Sequence, residues 1–154
     1  MSIPAEEKIN VKHILNSPLA ELSELEWEAL CDNCGRCCLV KLEDDLTNEV
    51  FYTNMICRLY DIEEGQCSNY LDRKNKVPGC VVIRQFGDEI YSQLPETCAY
   101  RLRYNNLPLP SWHPLVVGNS DIMQQQMITI KYRVVSEEGI HEDQFEEHIA
   151  DDIK

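Results

Sequence analysis

The stretch "CDNCGRCC", residues 31–38, places Cys31, Cys34, Cys37 and Cys38 within eight positions, and four further cysteines follow at 57, 67, 80 and 98. The full spacing is C-x2-C-x2-C-C-x18-C-x9-C-x12-C-x17-C. A C-x2-C pair turns two thiols toward one point. Gly35, directly after Cys34, permits the positive φ that such a knuckle wants. One C-x2-C pair is a weak signal, whereas this cluster with four more cysteines behind it is a strong one. The redox compartment decides what the sulfurs are for. The opening "MSIPAEEKINVKHILNS" lacks the basic start and the apolar run of about 7–15 residues that mark a secretory signal. No stretch approaches the roughly 20 apolar residues that span a bilayer. The expected location is therefore the cytoplasm, where thiols stay reduced, and metal ligation is favoured over disulfides.

At 154 residues the chain is expected to hold one domain. A chain of this size buries about 68–70% of its unfolded surface, so cysteines are not needed merely as staples. Hydrophobic content of 44% and charged content of 27% suit a soluble globular protein. The net charge of −13 repels phosphate backbones, which argues against nucleic acid as a partner. Membranes are excluded by the same hydropathy. A metal ion or cluster and a protein of unspecified kind remain as partners.

The expected fold class is α+β: a small single domain with short helices and a β-hairpin organised around a cysteine-rich metal centre. Residues 1–16 carry weak signals and read as a mobile arm, with 17–154 as the cysteine-cluster domain. Ser23-Glu24-Leu25-Glu26 fits a capping box, so a short helix should deliver Cys31 at its end. "CLVKL" and "EVFYTNMIC" are rich in β-branched and aromatic residues, and the acidic "EDDLTN" between them reads as a turn. The resulting hairpin carries Cys38 at one end and Cys57 at the other. "EEGQC" turns at Gly65 into Cys67, "SNYLDR" forms one helical turn, and "VPGC" is a loop bearing Cys80. "LPETCAYRLRYN" starts a helix with Cys98 in its first turn, near the positive end of the dipole. "LPLPSWHPL" is irregular. "MITIKYRVV" alternates Ile128, Ile130, Tyr132 and Val134, the pattern of a half-buried strand. The tail "HEDQFEEHIADDI" reads as an acidic helix with Phe145 and Ile149 on one stripe.

Two metal chemistries fit the sulfurs. Zinc takes four Cys or Cys/His ligands in a tetrahedron. An iron–sulfur cluster also takes thiolates, and a compact C-x2-C-x2-C run suits a [4Fe–4S] cluster whose fourth ligand lies elsewhere. Leu39 follows Cys38 where the bacterial ferredoxin run has a different continuation, so that arrangement is excluded. The four histidines divide: His13, His141 and His148 read as solvated, and His113 as a packed structural histidine bonded to backbone, with a role as metal ligand or as a partner behind the ligands as its alternative. No G-x-S-x-G, H-E-x-x-H, P-loop or dinucleotide fingerprint is present.

"CDNCGRCC", "CSNYLDR", "LPETCAYRL" and "LPLPSWHPL" together resemble the YcgN-type bacterial cysteine-cluster proteins over roughly residues 20–145. These belong to a wider family named for its CxxCxxCC motif and described as zinc- or iron-chelating. The resemblance implies that Cys31, Cys34, Cys37, Cys38, Cys57, Cys67, Cys80 and Cys98 form the metal-binding set, with zinc or an iron–sulfur cluster as cofactor. It names no reaction. A flagellin lysine methylase is similar in its cysteines, but no Gly-rich nucleotide-type loop occurs here and methyl transfer is not carried over. A structural-zinc interaction module and a redox or radical enzyme with an Fe–S cluster stand as alternatives. Tyr70 and Arg73, in the C-x2-Y-x2-R stretch after Cys67, are expected in the core and on a carboxylate respectively, rather than beside the thiols. Trp112 is likewise expected in the core. If "CLVKL" is already extended at Cys38, adjacent side chains diverge. Cys31, Cys34 and Cys37 would then share one centre with a distal cysteine, and Cys38 would face a second group of thiols.

Overall fold

A computed structural model describes residues 8–153. The elements are α1 (Val11–Asn16), α2 (Glu24–Leu30), β1 (Leu39–Glu43), β2 (Val50–Ile56), β3 (Tyr60–Asp61), β4 (Gln66–Cys67), α3 (Arg73–Lys76), α4 (Ile83–Phe86), α5 (Ile90–Gln93), α6 (Ala99–Tyr104), α7 (Pro114–Val117), α8 (Asp121–Gln125) and β5 (Val135–Ser136). The class is α+β, with short helices and a hairpin, as the sequence implied. The chain divides into two compact units, residues 8–32 with 91–126 and residues 33–90 with 127–153.

The first unit is helical. Its α2 begins where the capping box placed it: the Ser23 hydroxyl accepts from the Glu26 N–H at 3.2 Å, and the Glu26 carboxylate accepts from the Ser23 N–H at 3.0 Å. Trp27 and Leu30 point inward, and Cys31 is the C-cap. Of the expected N-terminal arm, residues 1–7 lie outside the described residues. Val11–Asn16 is a helix capped by Asn10, with Ile14 fully buried. Burying one such side chain contributes roughly 1.5–3 kcal/mol, which ties α1 to the unit. His13 is also not simply solvated, because its Nδ1 lies 2.9 Å from the Glu26 carboxylate. Tyr100 of α6 stacks on Trp27 with ring centroids 4.6 Å apart. Cys98 is the N-cap of α6, one residue earlier than the expected first turn.

The second unit is built on a three-stranded sheet of order β1-β2-β5. β1 and β2 form the predicted antiparallel hairpin across an acidic turn, with Leu39 opposite Ile56 and Lys41 opposite Tyr52. Between those pairs Val40 faces three residues, so β2 bulges. Thr53, fully buried in the bulge, donates its hydroxyl to the Val40 carbonyl and so satisfies itself. β3 and β4 form a second small hairpin that turns at Gly65. Leu39, Ile56, Tyr60, Ile130 and Ile153 make one buried cluster.

The strand expected over "MITIKYRVV" is not formed. Met127 takes φ 54°, and Ile130–Tyr132 is a 3-10 turn. Ile130 is fully buried and its N–H bonds to the Cys34 carbonyl at 3.1 Å instead of to a neighbouring strand. Only Val135–Ser136 pairs, in parallel with β2. A local alternation cannot reveal that the partner of Ile130 lies in the distant knuckle. The tail is helical as expected but as a 3-10 segment, Glu142–His148, and Ile149 bridges to Thr53. His148 is held by Asn54 at 2.8 Å rather than solvated. The helical turn expected at "SNYLDR" falls later, on Arg73–Lys76.

The cap predicts two outcomes. Ser23→Ala should lower the stability of the protein by about 1 kcal/mol in urea titrations. The Ser23 N–H holds the Glu26 carboxyl below its ordinary 4.5, with the His13 hydrogen bond assisting and burial opposing. That stabilisation is present above pH 4.5 and is lost as pH falls through the lower folded value. Glu26→Gln should therefore flatten the fall in melting temperature as pH drops below 4.5.

Candidate metal centre

The knuckle after Cys31 is shaped by two left-handed residues, Asn33 at φ 58° and Gly35 at φ 87°. A Cβ on Gly35 would stand 2.9 Å from both Ile130 Cγ1 and the Tyr60 hydroxyl, so glycine is required by conformation and by space alike. Arg36 is buried and donates to the Ile128 carbonyl at 2.5 Å, a second tie between the knuckle and the 127–132 segment. Arg36–Cys38 then forms a 3-10 turn before β1 begins.

That turn corrects the expectation for Cys37 and Cys38. The divergence of adjacent side chains assumes extended backbone, and here the chain is helical until Leu39. The two thiols stand close enough to act on each other's ionisation. The hairpin sets Cys57 beside them, its N–H 2.9 Å from the Cys38 carbonyl. The Tyr60 N–H returns to the Cys57 carbonyl at 2.9 Å, and Tyr60 pairs with Cys67 across β3 and β4. Two hairpins in series thus bring Cys38, Cys57 and Cys67 together. Cys80 arrives on a loop closed by its own N–H to Val77 at 2.9 Å and by Lys74 Nζ on its carbonyl at 2.9 Å.

The electrostatics record this proximity. The Cys37 contact, burial, and the charges of Cys57 and Cys67 push the Cys38 thiol far above its ordinary value. Burial raises Cys80, and Cys57, Cys37 and Cys67 raise it further against the opposing charge of Arg73. Burial pulls the Lys41 ammonium down, while Cys37, Cys38 and Cys34 favour its charged form. Lys41 donates to the Leu39 carbonyl at 3.2 Å. Cys34, Cys37, Cys38, Cys57, Cys67 and Cys80 all lie in the second unit, and Cys31 and Cys98 in the first. None of the eight is joined in a disulfide. Among the described residues no three His, Cys, Asp or Glu side chains stand at the separations of a closed metal site.

The expectation for Tyr70 and Arg73 is reversed. Tyr70 is 44% exposed rather than in the core. The Arg73 guanidinium stacks 3.8 Å from its ring centroid, donates to its carbonyl, and lowers the Cys80 thiol against the pull of burial. Trp112 is half-buried. Lys41 was missed by sequence reading. Its signal was a lone cation in the apolar "CLVKL", three residues beyond a cysteine pair.

A family model described as "Putative zinc- or iron-chelating domain", named CxxCxxCC, matches residues 30–99. The chain is 46% identical over 131 residues to a UPF0260 protein of Marinobacter nauticus, which covers 85% of this chain and 88% of the relative. The chain belongs to the UPF0260 family. A Shewanella denitrificans member is 45% identical over 86% of this chain and 89% of its own length. A Gluconacetobacter diazotrophicus member is 45% identical over 86% of this chain and 82% of its own. No solved structure matches. Among the described residues no helix is long and apolar enough to cross a membrane.

The donor chemistry fits a metal. Thiolates are soft ligands suited to zinc and to iron–sulfur clusters. Packed thiols that suppress one another's ionisation gain most from a cation that takes the place of their protons. The knuckle also predicts that Gly35→Ala costs about 1–3 kcal/mol from backbone strain, with the clash against Ile130 and Tyr60 added, read as a lower urea midpoint.

Proposed function

We propose that this UPF0260 member is a cytoplasmic metal-binding protein whose thiolates hold zinc or an iron–sulfur cluster. Cys34, Cys37, Cys38, Cys57, Cys67 and Cys80 supply the donors in one unit, and Cys31 and Cys98 those in the other. The observation that carries the reading is the convergence of Cys38, Cys57 and Cys67 through two hairpins in series, with the Cys57 N–H on the Cys38 carbonyl and Tyr60 paired with Cys67. Such a packing is unfavourable for ionised sulfur unless a cation compensates it. Lys41 and Arg73 contribute part of that compensation, and the thiolates would hold a metal cation whose charge would favour their deprotonated form. The acidic surface disfavours nucleic acid as a partner.

Protein purified without air should contain zinc or iron in stoichiometric amount, brown with broad visible absorbance for iron–sulfur and colourless for zinc. Metal-free protein whose eight thiols all titrate in the freshly isolated state would overturn the reading. Because ligation free energy is folding free energy, chelation or Cys34→Ser should lower the melting temperature by many degrees. An unchanged melting curve after metal removal contradicts the coupling.

A further inference from the structure

One tightly held polar side chain outside the thiol cluster is His113. It is fully buried in the helical unit, at the N-cap of α7. The Leu115 N–H donates to its Nδ1 at 3.0 Å, so Nδ1 carries no proton. The proton therefore sits on Nε2, which donates to the Leu30 carbonyl at 2.9 Å. Leu30 is the last residue of α2 and Cys31 its cap. A helix end leaves its last four carbonyls without intrahelical partners. Here buried side chains take two of them, His113 on Leu30 and the Tyr100 hydroxyl on Trp27 at 2.8 Å. Both bonds fall just ahead of Cys31, and the Leu30–Cys31 peptide plane is held directly by the imidazole.

With both ring nitrogens engaged by backbone, His113 has no lone pair to offer a metal. We propose that His113 is a positioning residue for Cys31: its Nε2–H clamps the Leu30 carbonyl and thereby fixes the direction in which the Cys31 thiol is presented to a metal. The inference rests on the proposed metal-binding role. It concerns a histidine that takes no direct part in ligation and a cysteine lying outside the unit that holds the other knuckle thiols. Groups that orient ligands in this way typically change metal affinity by about 10–100-fold when removed.

The test compares His113→Gln with His113→Leu in the full chain, using cobalt(II) as the spectroscopic probe. A glutamine amide can both donate to the Leu30 carbonyl and accept from the Leu115 N–H, whereas leucine does neither. The expected result is wild-type sulfur-to-cobalt charge-transfer absorbance and affinity for His113→Gln. For His113→Leu, binding should weaken by about 10–100-fold with reduced charge-transfer intensity. In metal-free protein, alkylation of Cys31 should quicken several-fold in His113→Leu relative to Cys80, and not in His113→Gln. Wild-type affinity and wild-type Cys31 alkylation in His113→Leu would overturn the proposal. So would a displaced ligand-field spectrum in His113→Gln, which would make the imidazole a ligand. If His113→Leu does not fold, His113→Gln decides by its spectrum alone. A wild-type protein that takes up no cobalt through sulfur defeats the metal-binding reading instead, and the alkylation comparison still judges the clamp.

Discussion

The hydrogen bond from the Cys57 N–H to the Cys38 carbonyl closes the open end of the β1–β2 hairpin, and the thiol cluster depends on it. It fixes two cysteines 19 positions apart in sequence on adjacent backbone. From there the Tyr60 N–H to Cys57 bond and the Tyr60–Cys67 pairing carry the register on to a third. Each step is an ordinary backbone bond, worth about 0.5–1.5 kcal/mol net. Their sum specifies a place where sulfurs repel one another. The sheet behind them supplies the apolar burial that makes this tolerable, through Leu39, Ile56, Tyr60, Ile130 and Ile153.

Cations are distributed accordingly. In a chain of net charge −13, Lys41 and Arg73 stand where their charge acts on thiols. Both are also built into the backbone, Lys41 through the Leu39 carbonyl and Arg73 through the Tyr70 carbonyl. Arg58 does similar work by donating to the Lys76 carbonyl at 2.7 Å, which steadies the segment leading to Cys80. Side chains fixed by such bonds lose little further freedom when a charge appears nearby, so they act as standing counter-charges rather than as mobile surface lysines.

The helical unit uses a different device for the same end. Aromatic stacking of Trp27 on Tyr100 and two side-chain bonds to helix carbonyls hold the end of α2 and the start of α6. Those are the positions of Cys31 and Cys98. The thiols in this unit are placed by helix ends and buried aromatics, and those in the other by hairpin register.

Local chemistry alone determined several parts of this protein. The capping box at Ser23, the glycine at 35, the hairpin joining Cys38 to Cys57, the turn at Gly65 and the buried character of His113 each follow from interactions within a few residues or from one residue's steric freedom. The eight cysteines likewise pointed to the zinc- or iron-chelating family by count and spacing. What only the tertiary structure decided involves partners far apart in sequence. Ile130 abandons its strand pattern because its N–H is taken by Cys34, 96 positions earlier. Cys37 and Cys38 stay together because the 3-10 turn persists to Leu39. Arg73 turns from a surface carboxylate to the Tyr70 ring and Cys80 because the 73–80 loop folds back. Spacing can propose which sulfurs belong to a centre, but their direction is set by contacts that close loops of tens of residues, and no local pattern encodes those.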